Sequence, residues 1–312
     1  MTWVWGRWYR QPRPVVDYRG RSLAYGDATH VMGILNVTPD SFSDGGLYMD
    51  VDAAVARARA MVEQGAAVID VGAESANVAA SRPRLEEELG RLLPVIQALV
   101  ELPVLISVDT YKADVAEAVL AAGAHIINDI SGLRADPRMA GVVARYEAGV
   151  VIMHSLGTPP DLSRDPHYVD VVKEVKEALA QAAEKAVAAG VAPQRIIVDP
   201  GIGVGKRTEH NLELLRSLGE LKMLGYPVLL GASRTSVIGN VLSAPIHERD
   251  VGTLATTALA VAQGVDMVRV HEVEANVQVA RMADAVVRGM DPPPGGWPFD
   301  EVTGERRSPQ GG

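Results

Sequence analysis

Short apolar runs rich in β-branched residues alternate with stretches of helical spacing along most of the chain. Eight such runs stand out, at 30–36, 67–71, 103–109, 124–129, 149–154, 195–199, 227–231 and 267–271. Most are continuously apolar, the pattern of strands buried on both faces. Between them the spacing turns helical, most clearly where Val171, Val172, Val175, Ala178, Leu179, Ala182, Ala183, Ala186 and Val187 form a stripe at i, i+3, i+4 and i+7. Gly65, Gly123, Gly149, Gly190 and Gly264 fall where a helix should stop before the next strand, in the left-handed position that glycine tolerates. Eight strand–helix units over about 260 residues predict an α/β fold, a single-domain (β/α)8 TIM barrel, rather than an open doubly wound sheet. Residues 1–29 read as an entry strand or hairpin over the barrel's bottom, 30–288 as the barrel, and 289–312 as a loose tail.

Barrel enzymes carry their chemistry at the C-terminal ends of the strands. Here nearly every run ends in polar residues: Asn36, Asp70, Asp109, Asn128 with Asp129, His154, Asp199, Ser233 with Arg234, and Arg269 with His271. Singly, each has a plain explanation. Asp109 before Thr110 could cap a helix, and Asn128 and Asp129 could satisfy loop backbone. Together they outline a mouth of carboxylates, amides and cations, and a carboxylate beside an amide suits a flat heterocycle with donors on one edge. The glycine-rich stretch 201–206 is no Walker A loop, because Pro200 stands where that motif needs Gly and Arg207 where it needs Ser or Thr. Its glycines fit a backbone turning close to a bound ring. No nucleophile elbow or HExxH zinc motif appears.

Composition narrows the partners. Against 39 Asp and Glu stand 30 Lys and Arg, a net charge of −9, which argues against a general nucleic-acid binder. With no cysteine there are no disulfides or thiolate sites. No stretch reaches the roughly 18 apolar residues of a membrane span, and the expected location is the cytoplasm.

The run Met32-Gly-Ile-Leu-Asn-Val-Thr-Pro-Asp-Ser-Phe-Ser-Asp-Gly-Gly46 resembles the signature of the dihydropteroate synthases, folate-pathway enzymes inhibited by sulfonamides. The resemblance continues through Ser107-Val-Asp-Thr110, Ile127-Asn-Asp-Ile-Ser-Gly132, Asp199-Pro-Gly-Ile-Gly-Val-Gly-Lys206, Glu209-His-Asn-Leu212 and Arg269-Val-His271, covering roughly residues 20 to 288. It implies a transferase that joins 6-hydroxymethyl-dihydropterin pyrophosphate to p-aminobenzoate, releasing pyrophosphate with Mg²⁺ as cofactor. Matched by motif, Asp109, Asn128 and Asp199 would hold the pterin, and Asn36, Arg269 and His271 the pyrophosphate, with Asn36 near the metal. The resemblance assigns catalysis to Asp40, Asp109, Asp199 and Arg269, with Asp40 on a loop that closes over the site. Family members are commonly homodimers.

Two departures fall in the p-aminobenzoate loops. Where the family has Thr-Arg-Pro after the second strand, this chain has Ala76, Asn77 and Val78; where it has Ser-Arg-Lys-Ser after the seventh, this chain has Ser233, Arg234, Thr235 and Ser236. A cation is lost at each place, and Arg82 is a candidate substitute. The first reading is therefore a synthase with altered p-aminobenzoate and sulfonamide recognition. The alternatives are a pterin-binding paralog without synthase activity and, ranked last, a methyltransferase of the same barrel type.

Overall fold

The computed structural model describes residues 15–38, 51–74, 83–158, 161–162 and 166–289. A hairpin of β1 (Val15–Tyr18) and β2 (Arg21–Ala24) precedes β3 (His30–Asn36), α1 (Val51–Glu63), β4 (Val68–Gly72), α2 (Leu85–Leu99), β5 (Leu105–Asp109), α3 (Ala113–Ala121), β6 (Ile126–Asp129), α4 (Met139–Arg145) and β7 (Gly149–Met153). A short antiparallel pair, β8 (Gly157–Thr158) and β9 (Asp161–Leu162), leads to α5 (Val171–Ala188), β10 (Ile196–Asp199), α6 (Thr208–Arg216), α7 (Leu218–Leu221) and β11 (Leu229–Leu230). The chain ends its described course with α8 (Ser236–Leu242), α9 (Asp250–Ala262), β12 (Met267–Val270) and α10 (Val273–Arg288).

Eight strands pair in parallel in the order β10-β7-β6-β5-β4-β3-β12-β11, and the Val198–Val228 bridge joins the two ends. This is the (β/α)8 barrel the element count predicts, with all eight runs realised as strands. Several strands start later than the apolar run, notably after Pro103 and Pro227, because proline has no N–H for the ladder. The stripe expected on α5 is buried at Val171, Val175, Leu179, Ala183 and Ala186, and Asp170 caps that helix by accepting from the Lys173 amide at 3.0 Å. Among the described residues no helix is long and apolar enough to cross a membrane.

The hairpin plugs the lower end of the barrel. Val16, Tyr18, Leu23 and Tyr25 pack on Met32, Val68, Leu105, Ile126, Val151, Ile197, Leu229 and Met267, one side chain from each barrel strand. The Tyr18 and Tyr25 hydroxyls meet at 2.7 Å, so neither buried phenol is left without a partner. Arg21 donates to the carbonyls of Val100 (2.8 Å), Leu102 and Val104 just past α2, and Arg19 to those of Leu120 (2.8 Å) and Ala124 at the end of α3. Both cations sit at negative helix ends, where backbone acceptors lack intrahelical partners.

Gly65, Gly123, Gly190 and Gly264 take the positive φ expected past a helix, but Gly149 does not. It opens β7 where a Cβ would lie 2.6 Å from the Tyr18 ring, so glycine there makes room for the plug. The left-handed turn after α4 falls on Glu147 (φ 51°) instead.

Candidate active site

Successive residues of a strand face opposite sides, so every second residue of a barrel strand enters the interior. Above the apolar bottom layer the inward positions are Ile34, Asp70, Ser107, Asn128, Met153, Asp199, Gly231 and Arg269, two residues further along each strand. A third step reaches Asn36, Gly72 and Asp109, which lie side by side: a Cβ on Gly72 would stand 3.6 Å from the Asp109 Cβ and 3.9 Å from Asn36 Oδ1. The polar mouth is thus the upper part of the same inward faces that form the apolar floor.

One arginine organises the middle of this interior. Arg269 donates from Nε to Asp70 Oδ2 at 2.6 Å and from Nη2 to Asp109 Oδ2 at 3.1 Å, and Asn128 Nδ2 donates to the same Asp70 oxygen at 3.0 Å. Burial pushes the Asp109 carboxyl up to about 7 and Asp199 up to about 6, although Arg269 opposes both shifts. On Arg269 burial pulls the other way, but Asp70 and Asp109 outweigh it and hold the guanidinium charged. Two polar atoms of the middle layer, Asp70 Oδ1 and Ser107 Oγ, are buried without a partner among the described residues and belong to register neighbours on β4 and β5. They remain available to a ligand.

Beyond β12, His271 Nδ1 lies 2.9 Å from Ser233 Oγ. Burial, with Arg234 and Arg269 nearby, lowers its pKa to about 4, so the ring is neutral at neutral pH. Arg57 of α1 donates to the His271 carbonyl at 3.1 Å. Arg234 turns away in a left-handed conformation (φ 57°) and pairs with Asp250 at 2.7 Å and Glu272 at 3.0 Å. Thr235 donates its hydroxyl to the Ala232 carbonyl at 2.9 Å while its methyl packs where a Cβ on Gly203 would come within 2.9 Å. Ser236, the first residue of α8, is exposed. Beside the mouth, Lys112 bridges Glu74 (2.7 Å) and Glu88 (2.5 Å), and Tyr111 donates to Glu74 at 3.0 Å.

Asp109, Asn128, Asp199 and Arg269 are therefore brought together in one interior, with Asn36 at its upper edge and His271 and Ser233 beside β12. Asp129 and His154 are not part of it. Asn128 and Met153 face inward, so each next residue faces the helices. Asp129 accepts from the Ser131 amide at 2.7 Å and hydroxyl at 2.6 Å, and His154 lines a small cavity with Ala178 and Leu179 of α5. Asp40, Ala76, Asn77 and Arg82 lie outside the described residues. The sequence reading places Asp70 among the polar strand ends of the mouth without giving it a role, and it misses Ser107 as an interior residue. Counting back two from Asp109 would have found it.

An eight-stranded β/α barrel with buried carboxylates and an amide around one arginine at its C-terminal mouth defines a barrel enzyme for a flat, donor-bearing heterocycle. A family model described as "Pterin binding enzyme" matches residues 32–271. The dihydropteroate synthase of Synechocystis sp. is 45% identical over 284 residues, spanning 90% of this chain and 97% of that one. Among solved structures, a dihydropteroate synthase from Clostridium difficile in the presence of pteroic acid is similar at a TM-score of 0.80 and 49% identity, covering 85% of this chain and 98% of the other. One from Xanthomonas albilineans with 4-aminobenzoic acid gives 0.82 and 42%, covering 89% and 99%. The chain belongs to the dihydropteroate synthase family of pterin-binding enzymes.

Proposed function

We propose that the protein joins 6-hydroxymethyl-dihydropterin pyrophosphate to p-aminobenzoate, forming dihydropteroate and releasing pyrophosphate. The observation that carries this reading is the convergence of Asp109, Asn128 and Asp199 on one interior in a barrel of this family. The pterin's amino group and ring N–H donate to these carboxylates, and the amide fixes the ring's edge. Donors from the ligand stabilise the ionised forms of Asp109 and Asp199, which burial alone disfavours. The C–O bond to pyrophosphate breaks, the ring delocalises the cation left on the methylene, and the arylamine nitrogen forms the new C–N bond and loses a proton. Three carboxylates, Asp70, Asp109 and Asp199, face one Arg269 in this interior, a field suited to a transient cation.

Arg269 and His271 serve the departing pyrophosphate, His271 entering neutral and gaining proton affinity as the anion binds. Among the described residues no three His, Asp or Glu side chains gather as a metal site. The Asn36 amide oxygen, beside Gly72 and Asp109 at the upper edge of the interior, would be one ligand of a Mg²⁺ that accompanies the pyrophosphate, and the metal would neutralise charge on the leaving group. Exposed Leu259, Met282 and Val286, on the neighbouring helices α9 and α10, are the surface a homodimer would bury.

The p-aminobenzoate side is altered. The Thr235 hydroxyl is engaged within its own loop, so it does not replace the family's lysine as a donor to a carboxylate. Thr235→Lys, together with Thr-Arg-Pro at positions 76–78, should lower the Michaelis constant for p-aminobenzoate by about five- to thirtyfold and raise sulfonamide inhibition. Native affinity already equal to that of the restored variant would overturn this part. The pterin assignment is tested by Asp199→Asn, which should cost about 1.5–3 kcal/mol of pterin binding in calorimetry. The reaction is tested by pyrophosphate release that depends on p-aminobenzoate. Arg269→Ala should weaken the pyrophosphate ester far more than free pterin. An intact pyrophosphate side favours the synthase over a paralog that only binds pterin.

A further inference from the structure

Among the described residues, Lys206 is the one cation of the mouth whose hydrogen bonds all go to backbone. Its Nζ donates to the carbonyls of Gly201 at 3.0 Å, His154 at 3.1 Å and Val204 at 3.1 Å, and the residue is 9% exposed. An ammonium has three protons, and all three are used. Lys206 therefore has none left for a substrate, and its influence on the reaction has to pass through what it holds.

What it holds is Gly201. The carbonyl of this residue accepts from Lys206, while its amide donates to Asp199 Oδ1 at 2.7 Å. The residue is gripped at both ends, with a φ of 68° and with a Cβ position that would lie 2.0 Å from the His154 carbonyl oxygen. Only glycine fits so close to the acceptor that Lys206 also uses. The other Asp199 oxygen points into the barrel, 3.4 Å from where a Cβ on Gly231 would stand.

We propose that Lys206 is a positioning residue for Asp199: through Gly201 it fixes one carboxylate oxygen and leaves the other aimed at the pterin. The inference rests on Asp199 being a pterin ligand. The ammonium's charge also favours the ionised carboxylate. Burial raises Asp199 to about 6 and Lys206 is one of the groups that opposes this. Burial lowers Lys206 itself to about 7. The groups that face it are Asp199 on β10, the neutral His154 after β7, Arg134 after β6, and Tyr168, whose hydroxyl donates to the Gly205 carbonyl at 3.0 Å.

The test is Lys206→Met, with pterin affinity measured by calorimetry from pH 5 to 8. Loss of the grip on Gly201 should weaken pterin binding about tenfold at pH 7, and loss of the charge should move the acid midpoint of binding upward by about one unit. Affinity for inorganic pyrophosphate should be unchanged. A role confined to stability would lower the melting temperature and leave the acid midpoint where it was. A folded Lys206→Met protein with pterin affinity within about twofold of native and an unmoved midpoint overturns the proposal. Should this variant not fold, the native protein still decides: the Gly201 amide resonance should shift with pH across the range in which pterin affinity changes, and a Gly201 signal indifferent to pH from 5 to 8 overturns it. If Asp199→Asn itself leaves pterin binding intact, the pterin reading fails. If Asp199→Asn weakens binding and Lys206→Met does not, only the present inference fails.

Discussion

The lower and upper halves of this barrel are made by the same strands at the same two-residue spacing, yet they have opposite chemistry. At the bottom all eight inward positions are apolar and sealed by the tyrosines of the hairpin. One step higher the same faces carry Asp70, Ser107, Asn128, Asp199 and Arg269, with Asp109 a further step up, and burial pushes the Asp109 and Asp199 carboxyls well above their usual range. The floor lowers the free energy of the fold by removing apolar surface from water. The mouth spends part of that stability holding charges that only a ligand fully satisfies. Binding and stability are divided along the strand axis, about 7 Å apart on each strand.

Crossing that boundary should have the largest effect. Val68→Asp places one carboxylate a single inward step below Asp70 but among aliphatic neighbours, and should cost about 5 kcal/mol, enough to abolish cooperative unfolding curves at ordinary temperature. The reverse deletion, Asp70→Ala, leaves Asn128 Nδ2 without its acceptor and Arg269 with Asp109 alone. We expect a loss of about 3 kcal/mol by urea denaturation, accompanied by weaker pterin binding. A variant as stable as native would show that the middle layer is not held by this carboxylate.

The third prediction concerns pH. Asp199 has a folded pKa near 6, above its unfolded value, so the folded state holds its proton more tightly. Its contribution to stability is complete below about pH 4 and is lost as pH rises through 6. His125, His154 and His271 have lowered folded values and act in the opposite sense, so a stability curve for the native protein alone mixes the two. The difference between Asp199→Asn and native isolates the carboxyl. The variant should gain relative stability on the order of 1–3 kcal/mol between pH 4 and 7, while native pterin affinity improves over the same interval. A difference that is flat with pH would mean that Asp199 is not destabilised by burial. Smallest is the floor's own hydrogen bond: Tyr18→Phe should cost about 1 kcal/mol of stability and leave turnover unchanged.

Much of this division was legible beforehand. The eight apolar runs predict the strands because a parallel sheet covered on both faces must be apolar throughout, and their polar ends mark the mouth. What could not be read is which way each end faces. Asp129 and His154 sit next to true interior residues, and a shift of one residue reverses the face. Arg269 is held by Asp70 and Asp109 from strands nearly 200 and 160 residues earlier in the chain, a pairing with no local signal. Lys206 looked like the lysine of a failed phosphate loop, because its carbonyl partners are backbone and any sequence supplies those. Gly149 resembled a helix stop, whereas its neighbour is a tyrosine from the hairpin.

The hairpin also constrains the order in which the molecule can be assembled. It is the first described segment to be synthesised, but its anchors come much later: the carbonyl of Leu120 for Arg19 is 101 residues away, and Arg195, which donates to the Asp17 carbonyl, is 178. Until those residues exist, Tyr18 and Tyr25 have no ring of strands to enter, and a two-stranded hairpin alone is marginally stable in water. Closing such long loops is entropically slow. The plug is thus early in the chain and late in docking, so it fastens the barrel floor only once strands from nearly the whole length of the fold are in place.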